Sequence, residues 1–172
     1  VIGSTDAASV FNILRSKNLN LKENTASLLE MESGSNDPVS YMLTVILTAV
    51  LTGQSVNIGS MLFFQVFFGI GCGVLFGKST AVVLNQVDFD IAQGKTILVF
   101  AAAILAYTVP SMIGGNGYLS VYLCGIILGN SYLPHKRDMV LFFDVLTGVA
   151  QMMIFFLLGL LVTPSELPQV IF

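Results

Sequence analysis

The sequence from Thr25 to Leu51, TASLLEMESGSNDPVSYMLTVILTAVL, is polar in its first half and apolar in its second half. The apolar run from Val39 to Leu51 is too short to cross the bilayer, because a transmembrane helix needs about 20 residues for ~30 Å of hydrocarbon. The whole stretch is long enough. It therefore predicts a membrane helix that carries polar side chains into the bilayer.

The composition of the whole chain indicates the same environment. Of 172 residues, 55% are hydrophobic and only 10% are charged, against roughly 25% charged residues in a soluble domain. The net charge of −3 argues against a nucleic-acid-binding protein, which needs a basic surface. Cys72 and Cys124 lie alone in separate apolar stretches, which argues against a disulfide scaffold. We expect an integral membrane protein.

Clusters of Gly, Pro, Asn and Asp divide the chain into about five to seven helical segments. The predicted spans are Thr25–Leu51, Asn57–Leu84, Lys95–Met112 and Met139–Val162, the short segments are Val1–Leu14 and Gly117–Gly129, and a further run begins at Gln169. The chain starts without Met and stops inside an apolar run. We therefore expect one all-α transmembrane domain over residues 1–172, truncated at both ends.

The basic residues predict the orientation of these spans. Loops at 52–57, 113–117 and 163–168 contain no Lys or Arg, whereas the other loops contain or adjoin all the basic residues: Arg15, Lys17, Lys22, Lys78, Lys95, Lys136 and Arg137. Cytoplasmic loops carry an excess of Lys and Arg. The loops at 15–24, 85–95 and 131–138 are therefore predicted to be cytoplasmic, in a multi-pass protein of the cell inner membrane.

Asp37 is the residue that most clearly points to a function. In a helix over Thr25–Leu51 it lies near the bilayer midplane, where a carboxylate costs about 2.5–3.5 kcal/mol and usually marks a functional site. Ser33 is four residues earlier and shares its helix face, while Pro38 frees the carbonyl of Gly34. With Glu32 and Asn36 these groups form a cluster of oxygen ligands, which suits a hard monovalent cation.

Two short segments indicate half-helices that end within the membrane. Ser4, Thr5 or Asp6 can cap a short helix that starts at Ala7, and Gly117–Gly129 is its natural counterpart. Transporters built from inverted repeats place such interrupted helices at their ion site. A cap exposed to water at the membrane surface is the alternative for the first segment.

Small residues at intervals of four predict close helix packing at two places. Gly69, Gly73 and Gly77 form one such stripe, and Gly125 and Gly129 form another. Small residues let helix backbones approach each other in membranes. A subunit interface is the alternative interpretation of the first stripe.

The motifs STDAASVF at 4–11, LNLKE at 19–23 and ESGSNDP at 32–38 resemble those of the monovalent cation:proton antiporter superfamily, of the sodium/hydrogen exchanger type. The similarity is greatest to the bacterial potassium/proton antiporters called cell volume regulation protein A. It extends through GN at 129–130, LPHKR at 133–137 and FFLLGLLV at 155–162. The resemblance thus covers essentially the whole chain.

The resemblance implies an inverted-repeat antiporter fold, of which this chain is a part, with two discontinuous helices that cross near the midplane, usually in a homodimer. It implies that Asp37 binds both cation and proton beside Asn36, and that Glu32 and Pro38 are structural residues near the site. The implied ligands of a monovalent cation are Asp37, Ser33 and the backbone of Thr5, with Thr5 and Asp6 at the first crossover.

We therefore predict K⁺ or Na⁺ exchange for protons, by competition of the two ions for Asp37. The alternatives are a cation channel or passive pore lined by the same polar residues, and a sensory or scaffold domain. An intramembrane aspartyl protease could pair Asp6 with Asp37, but the expected motif surrounds neither, so we do not expect an enzyme. We expect membrane lipids as surroundings, and neither a cofactor nor a nucleic acid as partner.

Overall fold

The computed structural model describes residues 25–53, 57–87, 92–133 and 136–161, and within these ranges the ordered elements are helices. The prediction of an all-α protein is confirmed, and the helices lie within three residues of the predicted ends. Val1–Leu14 and the run from Gln169 lie outside the described residues. The helices are α1 (Thr25–Leu51), α2 (Ile58–Gln86), α3 (Ala92–Met112), α4 (Gly117–Asn130) and α5 (Lys136–Leu161).

Three of these helices are long and apolar enough to cross a membrane. They are α2, α3 from Gln93 onward, and α5. Helix α4 has 14 residues, which at 1.5 Å per residue reach only about 21 Å. Helix α1 has 27 residues and carries Glu32 and Asp37 among its polar residues. Its length suits a span, and its polarity distinguishes it from the other long helices.

Asparagine caps and left-handed glycines fix where the helices start and stop. The Oδ1 atom of Asn57 accepts hydrogen bonds from the amides of Gly59 and Ser60, at 3.1 and 3.3 Å, as an N-cap residue does. Gly53 follows α1 with φ +68°, and Gly114 follows α3 with φ +82°. Glycine adopts this conformation without the cost of a side chain, so it ends helices at both turns.

The polar residues in the second half of α1 bond to their own helix. The hydroxyls of Thr44 and Thr48 donate to the carbonyls of Ser40 and Thr44, both at 2.8 Å. A hydroxyl in a bilayer has no water to bond with, so this local bond offsets its desolvation. The threonines therefore fit a membrane helix.

Helices α1–α4 belong to one compact unit, and α5 belongs to a second unit. In the first unit α4 contacts α1, α2 and α3, and its contact with α2 is the most extensive. Gly69 lies beside Asn116, and Gly77 beside Ile127, so α2 and α4 run parallel. The pairing of Tyr41 with Tyr118, and of Met31 with Tyr122, makes α1 and α4 antiparallel.

The glycine stripe of α2 packs directly against α4. A Cβ atom on Gly73 would lie 2.7 Å from the backbone oxygen of Ser120, and one on Gly77 would lie 3.0 Å from Cβ of Ile127. The prediction of close packing is confirmed for this stripe, whose partner is within the chain. For Gly125 and Gly129 a Cβ would meet nothing within 4 Å among the described residues, and close packing there stays a prediction.

Candidate cation site

The predicted ligands on α1 lie on one uninterrupted helix that continues through Pro38. Ser33 is buried, with 3% of its surface exposed, Asn36 is half-buried and the Asp37 side chain is exposed. Ser33 and Asp37 keep their spacing of one helical turn. The hydroxyl of Ser33 and the carboxylate of Asp37 therefore lie on the same face of α1, with Ser33 buried and Asp37 exposed.

Two more predicted site residues lie on this turn, and two others are outside the described residues. Pro38 is buried and Glu32 is exposed. The hydroxyl of Ser35 donates to the carbonyl of Glu32 at 2.9 Å, so its hydrogen bond stays within α1. Thr5 and Asp6 lie outside the described residues, and the predicted crossover with them.

The N-terminus of α4 reaches α1 at the residue that follows Asp37. The Nδ2 atom of Asn116 donates a hydrogen bond to the carbonyl oxygen of Pro38 at 3.0 Å. Asn116 is completely buried and caps α4 by accepting from the amide of Leu119 at 3.1 Å. The start of a helix too short to span thus lies beside the middle of α1.

Asn116 also joins this turn to α2. Its backbone amide donates to the carbonyl of Gln65 at 3.1 Å. Its own carbonyl lies where a Cβ on Gly69 would come within 3.0 Å. The turn between α3 and α4 is therefore held from two sides, by α1 and by α2.

Three tyrosines from three helices form a ring cluster one turn beyond Asp37. The ring of Tyr118 lies 5.0 Å from that of Tyr41 and 5.2 Å from that of Tyr107. The cluster lies on the side of Asp37 that leads to the end of α1 at Leu51.

A fourth tyrosine packs on the other side of the site. The ring of Tyr122 lies so close to Gly34 that a Cβ there would come within 2.7 Å of it. Its hydroxyl donates to the carbonyl of Met31 at 3.2 Å. Gly34 therefore allows α4 to approach α1 at the turn that contains Ser33.

Asn116 and the tyrosines were not predicted as site residues from the sequence. The sequence GGNG at 114–117 indicates a turn between two helices, and an asparagine before an apolar segment is the usual sign of an N-cap. The bond to Pro38 joins residues 78 positions apart, and no local pattern reveals it. The available signal was that a polar residue inside an apolar region is by default a functional candidate.

The oxygen-rich surroundings suit a monovalent cation better than a transition metal. Carboxylate, hydroxyl and carbonyl oxygens are ligands of hard cations, whereas sulfur and imidazole favour softer metals. Within the described ranges no group of three or more His, Cys, Asp or Glu side chains is placed to hold a metal ion.

Comparison with known proteins finds one matching family and several similar antiporters. The sequence matches the model of the transmembrane sodium/hydrogen exchanger family over residues 1–172. It is similar to the K⁺/H⁺ antiporter NhaP2 of Shewanella oneidensis, with 37% identity over 171 residues, covering 97% of this chain and 29% of that protein. Similarity to the K⁺/H⁺ antiporter NhaP of Alkalimonas amylolytica is 36% over 170 residues, covering 97% and 29%.

A more distant relative is named for a different ion. The low-affinity Na⁺/H⁺ antiporter NhaS1 of Synechocystis is 29% identical over 168 residues, covering 92% of this chain and 31% of that protein. The chain thus spans less than a third of the length of each of these relatives. No solved structure gives a significant match.

Proposed function

The chain belongs to the sodium/hydrogen exchanger family, and from this we propose that it exchanges K⁺ or Na⁺ for protons across the bacterial inner membrane at Asp37. The family is one of ion exchangers rather than enzymes. The relatives named for K⁺/H⁺ and for Na⁺/H⁺ exchange support both cations as substrates. A homodimer surrounded by lipid is the proposed assembly.

One observation carries the proposal. The carboxylate of Asp37 lies halfway along the long helix α1. The next residue, Pro38, accepts a hydrogen bond from Asn116, the buried N-cap of the short helix α4. Asp37 is 12 residues from the start of α1, which is about 18 Å along the axis, and this distance supports the proposal that it lies near the midplane. The start of α4, a helix too short to span, lies beside this part of α1.

Competition for one carboxylate explains the exchange. When Asp37 releases its proton, the carboxylate can bind a cation, and Ser33 and the backbone of Thr5 are the further ligands proposed for it. When a proton returns, the neutral acid no longer attracts the cation. Asn36 does not titrate, so the Asn-Asp pair holds one exchangeable charge, and we propose that one proton is exchanged for one cation.

The test is coupled flux in everted membrane vesicles from cells that express the protein at full length. With a proton gradient established by respiration, we expect addition of KCl or NaCl to dissipate the gradient, as measured by acridine orange fluorescence. Choline chloride is the control and should have no effect. A cation channel or passive pore would instead let the cation equilibrate without proton movement, and that result would contradict antiport.

We also propose that the loops at 15–24, 85–95 and 131–138 are cytoplasmic. The antiparallel run of α1 against α4, and the parallel run of α2 with α4, fit such an alternation. Lys78 lies in the last third of α2, and Lys95 is buried in the first turn of α3, so both belong to the helix ends near the second loop.

Cysteine labelling checks this orientation. We expect a cysteine at His135 to react with an impermeant maleimide in everted vesicles and to be protected in intact spheroplasts. A cysteine at Asn57 should give the reverse pattern, since its loop lies on the opposite side. Labelling of the His135 position from outside intact cells would show that the topology is inverted.

A further inference from the structure

Asn116 uses each of its polar groups, and it is completely buried. Its side-chain Oδ1 caps α4 through the amide of Leu119, and its backbone carbonyl accepts from the amide of Ser120 at 3.1 Å. Its backbone amide binds the carbonyl of Gln65. The Nδ2 group is not needed for any of these bonds, and it reaches across to Pro38.

The bond to Pro38 restrains the backbone of α1 one residue beyond Asp37. The accepting oxygen belongs to the Pro38–Val39 peptide group, and because the proline ring fixes φ at Pro38, a restraint on this group also limits how α1 can shift or turn at Asp37. Pro38 cannot donate a backbone hydrogen bond, which leaves the helix weaker at this turn. A cross-helix bond at this place compensates for part of that weakness.

At the other end of this hydrogen bond, Asn116 is fixed against α2. The amide of Asn116 is bonded to α2, and the close approach at Gly69 leaves no room for the turn to shift toward α2. Gly115 is equally confined, since a Cβ there would lie 2.6 Å from Cβ of Phe68. A movement of Asp37 relative to α2 therefore has to strain or break the bond from Asn116.

We propose that Asn116 is a positioning residue for the Asp37 cation site, and that its bond to Pro38 sets the place of the carboxylate relative to α2 and α4. This inference rests on the proposed function of Asp37. Asn116 does not touch the ion. It acts through the backbone of α1, and its loss should weaken cation binding more than it weakens the fold.

Capping alone is the competing explanation, and Asn57 separates the two. Asn57 caps α2 through the same Oδ1 atom but is exposed, and the bonds found for it stay within its own helix. Serine is as good an N-cap as asparagine, but its hydroxyl is too short to cap and to reach Pro38. Asn116→Ser and Asn57→Ser therefore make the same chemical change and differ in the cross-helix bond.

The test measures cation dependence in full-length protein with each variant. For Asn116→Ser we expect the KM for K⁺ or Na⁺ to rise by about 3- to 10-fold, which is the equivalent of one hydrogen bond, with a smaller change in maximal rate. For Asn57→Ser we expect a KM within about 2-fold of wild type. In detergent, KCl or NaCl should raise the thermal stability of Asn116→Ser less than that of Asn57→Ser, relative to choline chloride.

The outcomes distinguish this inference from the proposed function. If Asn116→Ser lowers yield or stability while its KM and its stabilisation by salt match those of Asn57→Ser, then Asn116 is only a cap and the inference is wrong. If Asp37→Asn still exchanges ions, the proposed function fails instead. The thermal measurement needs no transport, so it gives a result even when vesicle insertion of a variant is poor.

Discussion

We expect Asp37→Asn to abolish coupled cation/proton exchange while the protein remains inserted and folded. The substitution keeps the size of the side chain and removes both the charge and the exchangeable proton. If one carboxylate binds both ions in turn, neither half of the cycle can proceed without it. Exchange should fall to the level of vesicles that lack the protein, in the acridine orange assay with KCl or NaCl.

The stability of this variant is expected to be unchanged or raised. A carboxylate at the centre of a membrane helix costs about 2.5–3.5 kcal/mol, and the neutral amide avoids much of this cost. Loss of exchange together with normal thermal stability would therefore point to the ion site rather than to misfolding. Lower stability would mean that Asp37 has a structural partner on which the fold depends.

Two further variants serve as controls. Asp37→Glu keeps the carboxylate and moves it by one methylene, so some exchange should remain, with an altered KM for the cation. Asp144→Asn removes an acidic group from α5, near the proposed cytoplasmic end, and should have a mild effect. Wild-type exchange in Asp37→Asn would refute the mechanism, and uncoupled cation flux in that variant would favour a channel.

The helices could be predicted from the sequence because their ends are determined locally. Gly53 and Gly114 end α1 and α3 through their positive φ angles, and Asn57 starts α2 through its own side chain. The apolar runs between these residues supply the rest. Capping residues and the lengths of apolar runs can both be read from the sequence, so the observed helix bounds lie close to the predicted ones.

The candidate site was predictable only in part, because its surroundings come from distant segments. Asp37 stands out as a carboxylate within a long helix, which the sequence shows directly. The contact between Pro38 and Asn116 depends on how α4 lies against α1, and that depends on packing at Gly34 and Gly69. A periodic pattern identifies a small-residue face but not the helix that covers it.

Buried polar atoms at the α2–α4 contact show the cost of this packing. Oε1 of Gln65 and Oγ of Ser120 are buried with no hydrogen-bond partner among the described residues. A buried polar atom without a bond costs about 1–3 kcal/mol. The close approach of the two backbones must offset that cost, so the glycines that permit the approach should be important for stability.

We therefore expect Gly73→Leu to cause a large loss of folded protein. The first added atom would lie 2.7 Å from the carbonyl oxygen of Ser120, 3.1 Å from its Cα and 3.0 Å from Cβ of Leu123. Two of these atoms are backbone and cannot turn aside as a flexible side chain could, so α2 and α4 must separate. Overpacking of a core costs about 1–3 kcal/mol and occasionally more. We expect at least the upper end here.

Gly71→Leu is the matched control, because it makes the same change two residues away on the same helix. A Cβ on Gly71 would meet nothing within 4 Å, and leucine favours a helix more than glycine does. This variant should equal or exceed wild type in yield and in melting temperature, measured by fluorescence-detected size exclusion after heating.

Helix packing in a bilayer depends on close contact rather than on exclusion of water, so separating α2 from α4 has no hydrophobic compensation. Equal stability of the two variants would mean that the stripe does not hold α2 against α4. A loss confined to Gly73→Leu would show that it does, and would make the position of Asn116, one turn before Ser120 on the same contact, dependent on this packing.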